Sequence, residues 1–362
     1  MVARCGGALK RCLLPVVSPI TPFSKMAGSE TTGLEVPVAF TDADDGTIPV
    51  RPPTEYAAVV ASLPTNPSSK LKLRCYQGVW VLEDWVPGII AMQRSLSTRP
   101  GDVLLASFPK CGTTWLKALI FATMTRAAYP PASPSHPLRR LNPHDCVILV
   151  DRLFAVGREA LLDRLPSPRL MCTHMPLSVL PPSISGGPDC KIVYICRDQK
   201  DMVVSMWHFA KRVRPDISLQ EVFETVCEGT CFAGPVWDHI LGYWRLCNAE
   251  PNRVLFLTYE QMFQNPVDKV RKLAQFLGRP FSDTEDEAGA VAEIVELCSL
   301  EHLKNLEANK KGSQGVFLKF SYDSYFRKGV VGDWVNHLTP DMAKCLDAIF
   351  EEKFKGSGFT LP

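Results

Sequence analysis

The chain has 362 residues, 46% of them hydrophobic and 22% charged, which is enough apolar material for one large globular core or two modest ones. Forty Lys and Arg against 38 Asp and Glu leave a formal charge of +2. Bulk charge therefore gives no pull toward nucleic acid or an anionic membrane, and any anion site must be local. No run reaches the roughly 18 consecutive apolar residues that a membrane span needs.

The first 29 residues carry Arg4, Lys10, Arg11 and Lys25, and the first acidic residue is Glu30. That is the charge pattern of a plastid or mitochondrial transit peptide. Against it, Pro15, Pro19 and Pro22 break any amphipathic helix, and Met26 offers a second translation start. A disordered extension on a cytoplasmic chain is the favoured reading. Residues 27 to 70 are rich in Pro, Thr, Ser and Asp and lack periodicity, so 1–70 reads as a loosely ordered N-terminal extension.

From Leu71 onward short apolar runs alternate with amphipathic stretches, the pattern of α/β layers, and 71–362 parses as a single domain. Asp102 to Ser107, Arg169 to Thr173, Lys191 to Cys196 and Arg253 to Thr258 read as buried parallel strands. In open α/β sheets ligands bind beyond the carboxyl ends of strands, so function is sought there. Between helix and strand, five prolines from Pro130 to Pro143 force a non-helical excursion. Further on, the spacing predicts a helix from Pro266 to Gly278 and a last one opened by Thr339 and Pro340. The thirteen cysteines are odd in number and scattered, several inside apolar runs, and read as reduced and buried. Cys227 and Cys231 lack a second Cys or His pair at ligand spacing, so no metal is expected.

After the first predicted strand come Lys110, Cys111, Gly112, Thr113, Thr114 and Trp115, then a helical stretch. A strand, a Gly-containing turn and a helix start aim several backbone N–H groups and the helix dipole at one point, which favours an anion. Lys110 adds a charge, and the two threonines add hydroxyl donors. The Lys precedes the Gly and only one Gly is present, so the Walker A spacing fails and an ordinary kinase or ATPase is disfavoured.

The string Pro109-Lys110-Cys111-Gly112-Thr113-Thr114-Trp115 resembles the 5′-phosphosulfate loop of the cytosolic sulfotransferases, where Ser is commoner at the position of Cys111. The similarity runs from about Leu71 to Leu361. It is nearest to plant members, on Tyr76-Gln77-Gly78-Val79-Trp80 and on the segment from Gly234 to Trp244. It implies a P-loop-like α/β fold, a central mostly parallel sheet flanked by helices, that binds 3′-phosphoadenosine 5′-phosphosulfate (PAPS) and releases its product PAP. Arg197 and Ser205 match the family's 3′-phosphate segment. Arg327, Lys328 and Gly329 fall in an R-K-G-x-x-G-D-W signature that closes over the nucleotide. Trp115, Tyr259 and Ser299 match residues around the adenosine. Taken alone, Arg197 reads as the partner of Asp198 or Asp201.

His174, in Cys172-Thr173-His174-Met175-Pro176, matches the family's catalytic His. The resemblance implies that His174 takes the proton of the acceptor hydroxyl and that Lys110 stabilises the leaving group, with no metal. Two before the His, animal relatives often carry a Lys; here Cys172 leaves the acceptor one fewer positive neighbour. The acceptor is expected to be a small phenol, flavonoid, hormone-like or other alcohol, its pocket built from 129–145, 156–168 and Phe232. A catalytically impaired PAPS- or PAP-binding protein is the alternative. Animal relatives dimerise through K-x-x-x-T-V-x-x-x-E, whose matching positions here are Val335, Thr339, Pro340 and Lys344, so a monomer or a dimer made differently is expected.

Overall fold

Residues 36–47, 50–51, 56–66, 70–315 and 318–361 are described by the computed structural model. After two short helices, Phe40–Ala43 and Ala57–Ser62, comes a hairpin, β1 (Leu73–Tyr76) and β2 (Val79–Leu82). Its turn places Gln77 at φ 51° and Gly78 at φ 81°, the left-handed pair that matches the twist of a two-residue hairpin. The central sheet holds β3 (Asp102–Ser107), β4 (Ile148–Leu149), β5 (Leu170–Thr173), β6 (Cys190–Cys196) and β7 (Val254–Thr258). The strands are all parallel, in the order β4-β5-β3-β6-β7. The four expected strands are present to within a residue at each end, and β4, only two residues long, is added at the edge.

Both faces of the sheet are covered, so the strands are apolar throughout rather than alternating. Along β3, Leu104 and Ala106 pack with Met92, Tyr194, Tyr243 and Phe350 on one side. Val103 and Leu105 pack with Leu119, Phe121, Leu273 and Ile294 on the other. Asp102 opens β3 fully buried, and Arg169 meets it with Nε 3.1 Å from each carboxylate oxygen. Arg169, expected as the start of the next strand, thus clamps β5 to β3 from just outside it.

The last helix runs Pro340–Phe354 with Thr339 accepting from Met342 N, and Pro266–Phe276 stops before the left-handed Gly278. In the excursion after residue 130 the chain forms only short turns, Pro137–Arg139 and Pro143–Cys146.

In the described part of the lead-in, Ala39, Phe40 and Tyr56 are buried. Four ion pairs bind it to 137–164: Asp42 with Arg140, Asp44 with Arg158, Asp45 with Arg164 and Arg51 with Glu159. The targeting question concerns residues 1–29, outside those described. The described cysteines are all unpaired thiols, most of them buried. No described helix is long and apolar enough to cross a membrane.

Candidate functional site

The register sets Ala106 beside Thr173, Ser107 beside Ile195 and Cys196 beside Thr258. Four neighbouring strands therefore end at one level, and the residues just past them, Pro109-Lys110, His174, Arg197 and Tyr259, meet at one edge.

Lys110 has a left-handed backbone, φ 68°, which costs a non-glycine residue roughly 1 kcal/mol or more and marks a loop held by its surroundings. Its Nζ lies 3.7 Å from the centroid of the Phe209 ring and 5.8 Å from that of Tyr325. Burial, and then the charges of Arg197 and Arg327, push its pKa down to about 7. Gly112 follows at φ 100°, and a Cβ there would stand 2.7 Å from the Tyr259 ring, so only glycine lets the loop turn against β7. The helix Thr113–Thr125 starts at once, presenting its first N–H groups to the cavity.

Two loop side chains are placed otherwise than expected. Thr113 turns inward, its hydroxyl 2.7 Å from Ser107 Oγ. Cys111 is 2% exposed, belongs to the apolar core and does not line the cavity. Burial pushes its thiol up to about 12. Its small side chain therefore fills core, and what the loop can offer a ligand at this position is backbone.

His174 Nδ1 sits 2.8 Å from the carbonyl of Ser107. A carbonyl only accepts, so Nδ1 carries the proton and Nε2 keeps its lone pair. Burial holds the ring down to about 4, hence neutral. Its backbone N donates to Asp151 Oδ2 at 2.6 Å, and the Thr173 hydroxyl donates to Asp151 Oδ1 at 2.5 Å. His239 Nε2 donates to the His174 carbonyl at 3.1 Å while its Nδ1 accepts from Tyr194 at 2.9 Å. The segment is thus strapped from both sides.

Arg197 Nη2 pairs with Asp201 at 3.1 Å and donates to Val330 O at 2.5 Å, and its guanidinium lies 4.3 Å from the Tyr259 ring centroid. Its Nε is buried with no partner among the described residues. Asp198 instead caps the following helix, accepting from Lys200 N and Asp201 N. Asp201 also accepts from Gly332 N at 2.8 Å and Trp334 N at 3.0 Å, which ties the C-terminal segment over the site. In that segment Arg327 and Lys328 share Asp333, 2.5 and 2.7 Å away, and hold its carboxyl well below the usual range although burial opposes them. Gly329, at φ 64°, has no room for a Cβ, which would lie 2.7 Å from Leu300. Trp115 meets Tyr259 edge-on at 5.6 Å, and Ser299 caps the helix Leu300–Asn305 by accepting from His302 N.

These groups line one cavity of about 630 Å³, a size suited to small-molecule ligands. Lys110, Gly112, Thr114, Trp115, His174, Arg197, Ser205, Tyr259, Ser299, Arg327, Lys328 and Gly329 all line it, and Thr113 borders it although its hydroxyl turns to Ser107. Beyond His174 the wall is formed by Leu82, Trp85, Leu149, Arg152, Phe232 and Phe320; no residue of 156–168 contributes, contrary to expectation.

Sequence reasoning missed Asp151 and His239 behind His174, and a buried chain behind Thr114. Lys117 Nζ donates to Val147 O at 2.8 Å and lies 3.2 Å from His144 Nδ1, whose Nε2 lies 2.9 Å from Thr114 Oγ1. The charge of Lys117 also acts on His174. Only the helical register of Lys117, one turn after Thr113, hinted at this.

Residues 100–358 match the sulfotransferase domain family. Cytosolic sulfotransferase 1 of Arabidopsis thaliana is 44% identical over 312 residues, 84% of this chain and 93% of that protein. The chain belongs to the sulfotransferase family. Cytosolic sulfotransferase 5 of the same plant is 42% identical over 84% of the sulfotransferase described here. A solved Arabidopsis thaliana sulphotransferase superposes with a TM-score of 0.69 at 34% identity, covering 87% of this sulfotransferase and all of that chain. A mouse sulfotransferase complexed with PAP gives 0.62 at 28% identity, covering 79% of this chain and 95% of that one. The α/β architecture with a five-stranded parallel core is thus the sulfotransferase fold, and the cavity at the strand ends is this enzyme's candidate active site.

Proposed function

We propose that this sulfotransferase moves a sulfonate from PAPS to a hydroxyl of a small organic acceptor, with His174 as the base. The observation that carries the reading is the tautomer of His174: Nδ1–H is spent on Ser107 O, so the basic Nε2 remains on a ring that lines the cavity. The site fits such a donor. The orphaned, buried Nε of Arg197 calls for an acceptor oxygen, and the helix start after Gly112 supplies N–H donors. When bound, PAPS supplies the sulfonate, whose bond to the 5′-phosphate oxygen breaks as the acceptor oxygen bonds to sulfur.

In this reading His174 Nε2 takes the acceptor's hydroxyl proton, while Asp151 and His239 keep the backbone around the ring fixed. Lys110 and the loop N–H groups oppose the charge that grows on the leaving oxygen. Arg197, Ser205, Arg327 and Lys328 hold the 3′-phosphate end, and Trp115, Tyr259 and Ser299 the adenosine end. Lys117 donates to His144 Nδ1, so His144 donates from Nε2 to Thr114, which leaves the Thr114 proton free to point at the donor. Incubation with PAPS and a panel of phenols, flavonoids and aliphatic alcohols tests the reading. Sulfonated product with stoichiometric PAP is expected; PAP binding without transfer to any acceptor would leave a binding protein in its place.

Lys110 gives a test that needs no acceptor. With its pKa near 7, the amine is largely uncharged in the donor-free protein at pH 8, and an anion beside it favours the ammonium. Binding PAP at pH 8 should then take up about one proton, and affinity should fall as pH rises from 7 to 9. Calorimetry in buffers of different ionisation enthalpy measures the uptake. Lys110→Met should abolish most of it, and an unchanged uptake in that variant would remove Lys110 from the donor site.

A further inference from the structure

The cations around the cavity divide into two groups. Arg197 is paired with Asp201, Arg212 with Asp323 and Arg214 with Glu221, while Arg327 and Lys328 share Asp333. Among the described residues lining the cavity, the remaining Lys and Arg are Lys110 and Arg152, which form no ion pair with a carboxylate. Lys110 stands in the loop after β3 and is accounted for by the donor. Arg152 is not.

Arg152 lies on the short helix Val150–Ala155, next to Asp151, whose carboxylate straps His174. It is therefore on the acceptor side, away from Arg197 and Tyr259 at the ends of β6 and β7. Its Nη1 donates to Gln314 Oε1, and Gln314 Nε2 is itself buried with no partner among the described residues. Burial pushes the pKa of Arg152 down, outweighing the electrostatic action of Tyr325, Tyr322 and Asp145. Asp145 is engaged elsewhere, accepting from the Tyr322 hydroxyl at 2.8 Å, and forms no ion pair with Arg152 among the described residues. A largely buried guanidinium with N–H groups to spare, beside a carboxamide with a spare N–H₂, forms a small anion-accepting corner in an otherwise apolar wall of Leu82, Trp85, Leu149, Phe232 and Phe320.

We propose that this corner selects the acceptor: Arg152, helped by Gln314, receives a carboxylate. The preferred acceptors are then hydroxylated amphipathic acids, with an apolar body between the hydroxyl at His174 and the acid group at Arg152. The inference rests on the transferase reading above and adds the substrate class.

A matched pair of acceptors tests it: 3-(4-hydroxyphenyl)propanoate and its methyl ester, with PAPS fixed and saturating. The parent protein should favour the acid by about tenfold to a hundredfold in kcat/KM, the range of one charge-assisted contact. Arg152→Gln should bring the acid-to-ester ratio close to one, mainly through KM for the acid, and Arg152→Lys should keep most of the preference. Calorimetry on the PAP-loaded protein reads the same ratio without turnover. Equal use or binding of acid and ester by the parent, or a ratio unmoved by Arg152→Gln, overturns the assignment. So does an Arg152→Gln variant that loses PAP affinity, since Arg152 would then belong to the donor side. Sulfonation of the ester in any of these cases leaves the transferase reading standing.

Discussion

His174→Ala is expected to lower kcat by about 10²–10⁴-fold, the usual share of a positioned general base, while PAP affinity stays nearly unchanged. The separation follows from the geometry. His174 stands at the end of β5, and Arg197 and Tyr259, proposed to hold the nucleotide, follow β6 and β7 across the sheet. The pH profile carries the same argument. Burial lowers the imidazole to about 4, so its base form persists through the neutral range and is lost only as pH falls toward that value. The acid limb of kcat/KM should accordingly lie well below the 6.5 of an ordinary histidine. Activity of His174→Ala near the parent level, measured by single-turnover transfer, would take the residue out of the mechanism.

The second large effect concerns the choice of donor. A charged hydrogen bond contributes roughly 1.5–3 kcal/mol, so the two proposed contacts to the 3′-phosphate should give a preference of several hundredfold for PAPS over the precursor that lacks it. Each arginine already has a carboxylate, Asp201 for Arg197 and Asp333 for Arg327. Repulsion between bare guanidinium groups therefore adds nothing when the phosphate is missing, and the preference rests on attraction alone. Arg197→Ala should cut it by about tenfold to a hundredfold, through loss of PAPS rather than gain of the precursor. Asp201 would still accept from Gly332 and Trp334, so the closing segment should remain in place. The ratio of kcat/KM for the two donors is the readout, and a ratio unmoved by the substitution would reject Arg197 as a reader of that phosphate.

The strands that frame the site were legible because they are buried on both faces and so read as unbroken apolar runs. Lys110, His174 and Arg197 were legible as polar residues placed where such runs stop. β4 was not, since Ile148 and Leu149 are too few to show a period. The lone Arg197 also looked like a partner for a nearby acid, and it is one, to Asp201; its orphaned Nε is what leaves room for the proposed second use. What sequence could not reveal comes from distant elements brought together by packing. Asp151 lies 23 residues before the His174 N–H it accepts from, and His239 lies 65 residues beyond the carbonyl it donates to. Cys111 shows the opposite limit: a motif position names a loop, while the direction of its side chain is decided by the core behind it.

The family match starts at residue 100, yet the wall that carries Arg152 is braced from further upstream. Arg51 Nη2 donates to Phe154 O at 2.8 Å and Arg51 N to Gly157 O at 2.7 Å, while Thr41 Oγ1 donates to Asp145 O at 3.1 Å. Asp44 and Arg51 in turn pair with Arg158 and Glu159 just past that wall. A chimera or shortened chain cut at the edge of the recognisable domain would keep every donor-side residue but lose these braces of the acceptor side. If Arg152 selects the acceptor as proposed, exchange of modules between relatives at that boundary would transmit the chemistry without its selectivity, and the inheritable unit of substrate choice would be longer than the unit of catalysis.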